Sequence, residues 1–509
     1  MSTDPHSSHS AQPKSEVREP LVLAVDVGTS SVRALLFDRS GRQLEHCSIQ
    51  LAYEVETTPD GGVEVDADRL FELVVGSISG LHQKMQELSI RPAAVACCTF
   101  WHNVLGVAND NRPTTPVLHP FDTRAVRAAK ELAEKIDAKA QHARTGCVLH
   151  ASYLPAKLLW LAEEHPDAFR ATRRWMSFGE YLFLVLFGKA ISSVSMVSGS
   201  GLWDQSKNAY DDEILGALPV KPCQFCPPDR MDEPLAGLRD DYRSRWPLLD
   251  GLPWYPALGD GACNNLGSGC TSPERFALMV GTSGAMRAVC EATRVEIPPG
   301  LWCYRIDRRR IVLGGALSNG GEVYAWMKRT LALPSEAELE EQLAAIPPGS
   351  HGLTVLPLLA GERSPHWRAD ARAAIAGLRT STRPVEILRA ALESVALRFR
   401  VIYDLMSERL GTPQEVVASG GALLHSPAWT QMMADALARP ILASLESEAS
   451  SRGAALAALE RLGAIRSPRD VEGRMGRTFA PIASHCEVYE EQLRRQQWLY
   501  DKLYREEVT

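Results

Sequence analysis

A short pattern written twice limits what this chain can fold into. V-G-T-S-S-V-R-A opens at Val27 and V-G-T-S-G-A-M-R-A opens at Val280. Each follows an apolar run with the character of a buried strand, from Leu21 in the first copy and Phe276 to Val280 in the second. Each then leads into a returning strand, Ser31 to Asp38 and Ala285 to Cys290. Chance likeness of two turns is the alternative reading. Against it, both copies open a run of strands in their own half, so the repeat predicts a duplicated α/β architecture in this 509-residue chain.

Around the repeat, the first half reads as strands at 42–51, 93–99 and 105–107, with helices at 68–88, 124–136 and 155–164. A proline-rich stretch from about 190 to 253 reads as a peripheral insertion or linker. The second half adds a strand at 311–315, helices at 320–332, 336–345 and 384–410, and a strand at 415–419 that enters a Gly-Gly turn. Short strands at Val355 and Ile441 and helices at 427–437, 450–462 and 488–505 complete it. The implied divisions are a disordered polar tail over 1–20, a first domain over 21–253, a second over 254–480 and a closing helix over 481–509.

Composition excludes several classes. The net charge of −7 gives no basic footprint for nucleic acid. The longest apolar run, Tyr181 to Phe187, is too short to span a bilayer. The N-terminal residues carry no apolar leader, so the reading is a cytoplasmic chain with reduced thiols. Cys223 and Cys226 have metal or redox spacing, but no second C-x-x-C exists to complete a zinc site, and they read as ordinary cysteines.

A Gly-Thr-Ser turn between paired strands exposes backbone N–H groups and small hydroxyls that suit phosphate oxygens. Two such turns facing each other across a cleft would grip a polyphosphate; plain hairpin turns are the other reading. Only the first copy places a carboxylate, Asp26, ahead of its glycine, where a Mg²⁺ ion bridging phosphates would find a ligand. No G-x-x-x-x-G-K-[ST] occurs, so the arrangement differs from a P-loop.

The segment Asp26 to Asp38, D-V-G-T-S-S-V-R-A-L-L-F-D, resembles the first phosphate motif of the FGGY carbohydrate kinases, relatives of actin and the heat-shock chaperones. The resemblance continues through L-G-D-G-A-C-N-N-L-G-S-G (Leu258 to Gly269), V-G-T-S-G (Val280 to Gly284), G-E-R-S-P-H-W-R-A-D-A-R (Gly361 to Arg372) and the stretch from Ala418 to Pro440. No one block is specific; together, in the family's order, they are. The resemblance implies two ribonuclease-H-like (actin-like ATPase) domains closing on an interdomain cleft, with sugar held mainly by the first and ATP by the second.

It also implies roles. Asp260 matches the family's general base, although spacing alone reads it as a helix-capping carboxylate. Gly28, Thr29, Ser30 and Arg33 of the first turn, with Gly281, Thr282 and Ser283 of the second, match the phosphate turns. Gly420 and Gly421 match the adenosine motif, and Asn319 is a further nucleotide-side candidate. On the sugar side, Trp101 and His102 offer a stacking face and a hydrogen-bond partner. F-D-T-R (Phe121 to Arg124) resembles the family's W-x-D-x-R block with Pro120 in place of the tryptophan, which nominates Asp122 and Arg124. Lys157 matches a recurring lysine; Glu362 with Arg363 reads as an interdomain ion pair, with ligand contacts as the alternative.

The expected activity is transfer of the γ-phosphoryl of ATP, with Mg²⁺, to a hydroxyl of a small sugar or sugar acid. The GERSPH block and the F-W-H-N segment look closest to the gluconate-kinase-like branch, and Arg124, Lys157 and His102 would meet a carboxylate. D-Xylulose is the alternative substrate. An actin-like or chaperone-like ATPase and a sugar-binding regulator are the alternatives of other classes. A homodimer is compatible with the sequence.

Overall fold

The computed structural model describes residues 17–292 and 295–504. Residues 1–16 of the expected tail lie outside the described residues. Two sheets carry the molecule. The first contains β1 (Val22–Val27), β2 (Ser31–Phe37), β3 (Gln43–Ala52), β4 (Ala94–Thr99) and β5 (Trp254–Gly259), in the order β5-β4-β1-β2-β3. The pairs β1–β2 and β2–β3 are antiparallel, whereas β4 lies parallel to β1 and β5 parallel to β4.

The second sheet repeats the plan. It contains β6 (Arg275–Val280), β7 (Gly284–Glu291), β8 (Trp302–Arg305), β9 (Arg310–Leu317), β10 (Glu415–Ser419), β11 (Ile441–Ser444) and β12 (Met475–Phe479). Their order is β8-β9-β7-β6-β10-β11-β12. Again the strand–turn–strand pair is antiparallel and its other neighbour, β10, runs parallel. The duplicated motif therefore sits at the same place in two mixed sheets, the central hairpin of each. β8 and β12 extend the second copy at its edges.

Helices cover the sheets as amphipathic patterning requires. Helix α1 (Ala67–Glu87) starts at Asp66, whose carboxylate accepts the Arg69 N–H, and buries Leu70, Val74, Ile78 and Leu81 on the first sheet. Helix α2 (Asp260–Gly267) follows β5 without a loop. The long α3 (Pro384–Leu410) has Pro at its first position and fills the second core with Leu388, Leu392, Val395 and Phe399. α4 (Ala449–Arg461) belongs to the second half of the chain yet packs on the first sheet, with Leu456 and Leu459 against Val22, Ala24 and Ala96. Each such leucine contributes about 1.5–3 kcal/mol by burial. Its alanines and glycine let α2 approach closely, since a Cβ on Gly267 would strike the Ala449 carbonyl and one on Gly453 the Cys263 carbonyl. The closing helix α5 (Ala483–Tyr504) lies on the second domain, where Tyr489 joins the core.

Two expectations change. The sheets do not part at 253, because Trp254–Gly259 is the edge strand of the first sheet. The stretch after 190 is no peripheral linker: the Trp101 indole donates to the Ser195 carbonyl at 2.9 Å, and Ser193 Oγ donates to the Ala257 carbonyl at 2.6 Å. The prolines lie farther along, from Pro219 onward, some of them in short helical elements. All eleven cysteines are unpaired, with Cys226 buried and Cys223 exposed. Among the described residues no helix is long and apolar enough to cross a membrane.

Candidate active site

The two Gly-Thr-Ser turns face one cleft, and Thr29 and Ser283 both line it together with Asp260. In the first turn the Gly28 N–H donates to Ser31 O at 2.9 Å, and the Tyr53 hydroxyl braces the Gly28 carbonyl at 2.6 Å. The second turn is braced by the start of the helix at Gly321–Thr330: the Gly320 and Glu322 N–H groups both donate to Thr282 O at 3.0 Å, and Gly321 N–H to Gly281 O at 2.7 Å. These glycines are sterically required, as a Cβ on Gly320 would lie 2.6 Å from Ser283 O. Gly420, at φ +88°, sits against the Val280 backbone and delivers Gly421 to the first turn of a short helix. Asn319 accepts the Ala360 N–H at 2.9 Å through Oδ1. Gly281, Thr282, Ser283, Asn319, Gly420 and Gly421 thus form one cluster of backbone and small side chains at the ends of β6, β9 and β10.

Asp260 is the first residue of α2, with Gly259 in the capping position. Burial pushes its carboxyl up to about 6; the Arg287 guanidinium and the Gly261 N–H, 2.8 Å from Oδ1, oppose that rise, and the charge of Asp26 adds to it. A carboxylate of that basicity, at a helix N-terminus, is suited to accept a proton near neutrality. Asp26 is 3% exposed, accepts the Ser451 hydroxyl at 2.9 Å through Oδ2 and lies 3.8 Å from Arg33. Arg33 also approaches Glu448 at 3.6 Å, so it belongs to a charge cluster at the first turn. Ser30 is exposed at the tip of that turn.

The cleft that Thr29, Asp260 and Ser283 share has a volume of about 240 Å³, and much of its wall is aromatic. Trp101 packs edge-on to Tyr304 with centroids 4.9 Å apart, Tyr304 stacks on Trp302 at 4.5 Å, and the Tyr153 and Tyr304 hydroxyls are 2.6 Å apart. His102, at φ +62°, places its ring 4.9 Å from Tyr153 and pairs Nδ1 with the Gly199 carbonyl at 2.6 Å. Burial drives its pKa down to about 3, so the imidazole is neutral. Trp101 and His102 accordingly lie in the chamber wall.

Three expected substrate contacts do not line it. Asp122 is 2% exposed and is consumed by Arg124, whose other partner is Glu64 at 2.5 Å and whose guanidinium lies 4.5 Å over the Trp160 ring. Lys157 is 1% exposed and donates to the His102 and His119 carbonyls at 2.7 and 2.9 Å. These residues brace the segment that brings Pro120 and Phe121 to the cleft. Glu362 and Arg363 do not pair across the domains either. Glu362 bonds Arg398 and accepts the Tyr500 hydroxyl at 2.6 Å, all within the second domain, and Arg363 turns into the chamber.

The cations in the chamber are instead Arg287 and Arg363. Arg287 is 9% exposed, and its Nε and Nη1 are buried without a hydrogen-bond partner. Both arginines lie inside motifs already visible in the sequence. The signal for Arg287 was alternation along β7, which sends Ala285 and Arg287 to the cleft. Nothing local distinguished Arg363 from Glu362; only the fold separates their directions.

Residues 21–267 match the model of the FGGY family of carbohydrate kinases, N-terminal domain, and residues 276–460 match that family's C-terminal domain. Gluconokinase of Bacillus licheniformis is 26% identical over 488 residues, 92% of this chain and 93% of the relative. Xylulose kinase of Streptomyces rubiginosus is 29% identical over 479 residues, covering 94% and 95%. The crystal structure of gluconate kinase from Lactobacillus acidophilus superposes with a TM-score of 0.88 at 24% identity, over 95% of this chain and 98% of that one. With both of its domains matched, this chain belongs to the FGGY family of carbohydrate kinases and is an ATP-dependent sugar kinase of two actin-like domains.

Proposed function

We propose that the chain transfers the γ-phosphoryl group of ATP to a hydroxyl of a sugar acid, with gluconate as the substrate and Asp260 as the general base. The observation that carries this reading is the site's composition: a carboxyl raised to about 6 between two phosphate-type turns, on an aromatic cleft whose charged groups include Arg287 beside Asp260 and Arg363, which has no ion-pair partner among the described residues. Thr29, Thr282, Ser283 and the backbone N–H groups of the turns suit phosphate oxygens, and Gly420 and Gly421 allow close approach of a purine.

The chemistry follows from these groups. In this reading Asp260 accepts the proton of the substrate hydroxyl as its oxygen attacks the γ-phosphorus and ADP leaves. Closure of the two domains on a bound sugar would exclude water and keep the phosphoryl group from hydrolysis. Mg²⁺ fits the donors at the first turn: Asp26 supplies one buried carboxylate, and an ion of this kind needs only one or two carboxylates beside the phosphate oxygens. Bound there, it would neutralise phosphate charge during transfer. Arg33 and Ser451 would hold the Asp26 carboxylate in place.

D-Xylulose is the second reading, favoured by the hydroxyl-bearing and aromatic part of the wall, where Ser152, Tyr153 and Tyr304 offer neutral hydrogen bonds. ADP release is measured with gluconate, D-xylulose, L-ribulose and glycerol against a blank without sugar. A response to gluconate alone supports the proposal. A response to xylulose with gluconate silent replaces it, and turnover equal to the blank would favour an ATPase without a sugar substrate.

A further inference from the structure

Arg287 and Arg363 differ in the company they keep. The charge that Arg287 meets is Asp260, and each moves the other's protonation equilibrium. Among the described residues Arg363 has no carboxylate partner: the ionisable groups around it are the phenols of Tyr153 and Tyr304 and the imidazoles of His102 and His150. Burial holds both phenols protonated and both imidazoles neutral, the latter at about 3 and 4. Its guanidinium lies 5.8 Å from the Phe121 ring centroid, an apolar neighbour. Arg287 stands beside Asp260, its Nε 3.3 Å from where a Cβ on Gly261 would lie, whereas Arg363 lies over Phe121 on the loop whose Trp367 packs on His150 and Tyr153, so the two arginines occupy different parts of the cleft.

The loop that carries Arg363 is built to hold it there. Glu362, the preceding residue, is fixed by Arg398 and Tyr500. On its other side Ser364 Oγ accepts the Ala316 N–H at 3.1 Å, while Ser364 N–H donates to the Ala316 carbonyl at 2.9 Å. Trp367 closes the loop, its ring facing His150 at 5.6 Å and Tyr153 at 6.3 Å. A half-buried guanidinium that lines the cleft, carried on a braced loop and given only neutral partners, is matched by an anion brought in with the substrate.

We infer that Arg363 is the specificity-determining residue that receives the substrate's carboxylate, in a part of the cleft apart from Asp260. This rests on the sugar-acid reading above and extends it by assigning the two parts of the cleft: the reacting hydroxyl at Asp260 and Arg287, the anionic end at Arg363. The fork of a guanidinium pairs with a carboxylate through two parallel hydrogen bonds, which a hydroxymethyl group cannot reproduce.

The test compares gluconate with glucitol, the same carbon chain bearing a hydroxymethyl group in place of the carboxylate, in the wild-type enzyme, Arg363→Met and Arg363→Lys. Wild type is expected to prefer gluconate. Arg363→Met should lose on the order of 100-fold in kcat/KM for gluconate, mostly through KM. Its kcat/KM for glucitol and its KM for ATP should stay within about threefold, and Arg363→Lys should fall between the two. An equal loss on gluconate and glucitol would overturn the inference and leave Arg363 a structural role. Retained gluconate preference in Arg363→Met would overturn it as well. If wild type turns over D-xylulose and ignores gluconate, the sugar-acid reading itself fails and this assignment falls with it.

Discussion

The Trp101 indole lies against the backbone of Gly261, so closely that a Cβ there would stand 2.6 Å from the ring's Cζ3. Gly259 is under the same constraint from the other side of Asp260. The glycines flanking Asp260 are there for space: neither has a positive φ, and both let the large Trp101 ring pack against the backbone beside the carboxylate. Trp101 cannot retreat, because its Nε1–H is committed to Ser195 O.

Gly261→Ala should therefore disturb that packing and the base together. Overpacking of this kind costs about 1–3 kcal/mol. Urea unfolding should show that loss, and kcat should fall because the ring displaces Asp260. A variant with the stability and kcat of wild type would mean that the ring moves freely.

Asp260→Asn should abolish phosphoryl transfer while leaving ATP affinity nearly unchanged, since an amide holds the geometry but accepts no proton. The acid limb of the wild-type kcat profile should fall as pH drops through about 6, where the carboxyl becomes protonated. Arg287→Met removes the cation that favours the carboxylate, so the limb should move to higher pH. A limb that stays in place would show that Arg287 does not act on the base.

Much of the frame is legible in the amino-acid sequence. The repeated turn foretold two related sheets because a strand, a tight turn and a returning strand form a local unit, readable from alternation and glycine alone. The cleft wall was less legible. Asp122, Arg124 and Lys157 stand in motifs that suggest ligand contacts, yet Arg124 finds Glu64 and Lys157 finds two carbonyls through pairings no short window contains. Arg363 and Glu362 are adjacent and opposite in charge, and which one faces the cleft is decided by Tyr500 and Arg398, both distant in sequence. The edge strand Trp254–Gly259 misled the domain boundary for the same reason, because its partner β4 lies far upstream.

Lys157→Met separates bracing from binding. Removing the ammonium leaves the His102 and His119 carbonyls without their buried donor, a loss of about 1–3 kcal/mol for each unsatisfied group. Thermal unfolding should fall accordingly. Substrate KM should change far less than in Arg363→Met, since Lys157 does not line the chamber. A stable variant with a greatly raised gluconate KM would instead restore Lys157 as a direct contact.

The closing helix supplies the last prediction. Tyr500, 3% exposed on α5, donates to Glu362 Oε2 at 2.6 Å, and Arg368 and Arg372 of the same loop bond Tyr504. Glu362 has a second partner in Arg398, so Tyr500→Phe loosens the loop without leaving a buried carboxylate unpaired. A hydrogen bond to a charged group is worth about 1.5–3 kcal/mol. Part of that should appear as lower unfolding stability, and part as a raised KM for the sugar, because Arg363 follows Glu362 directly in the chain. The KM for ATP, which the proposed phosphate turns would set and which Tyr500 does not touch, should stay within about twofold. Equal rises in both KM values would mean that α5 supports the whole second domain and has no particular hold on the loop.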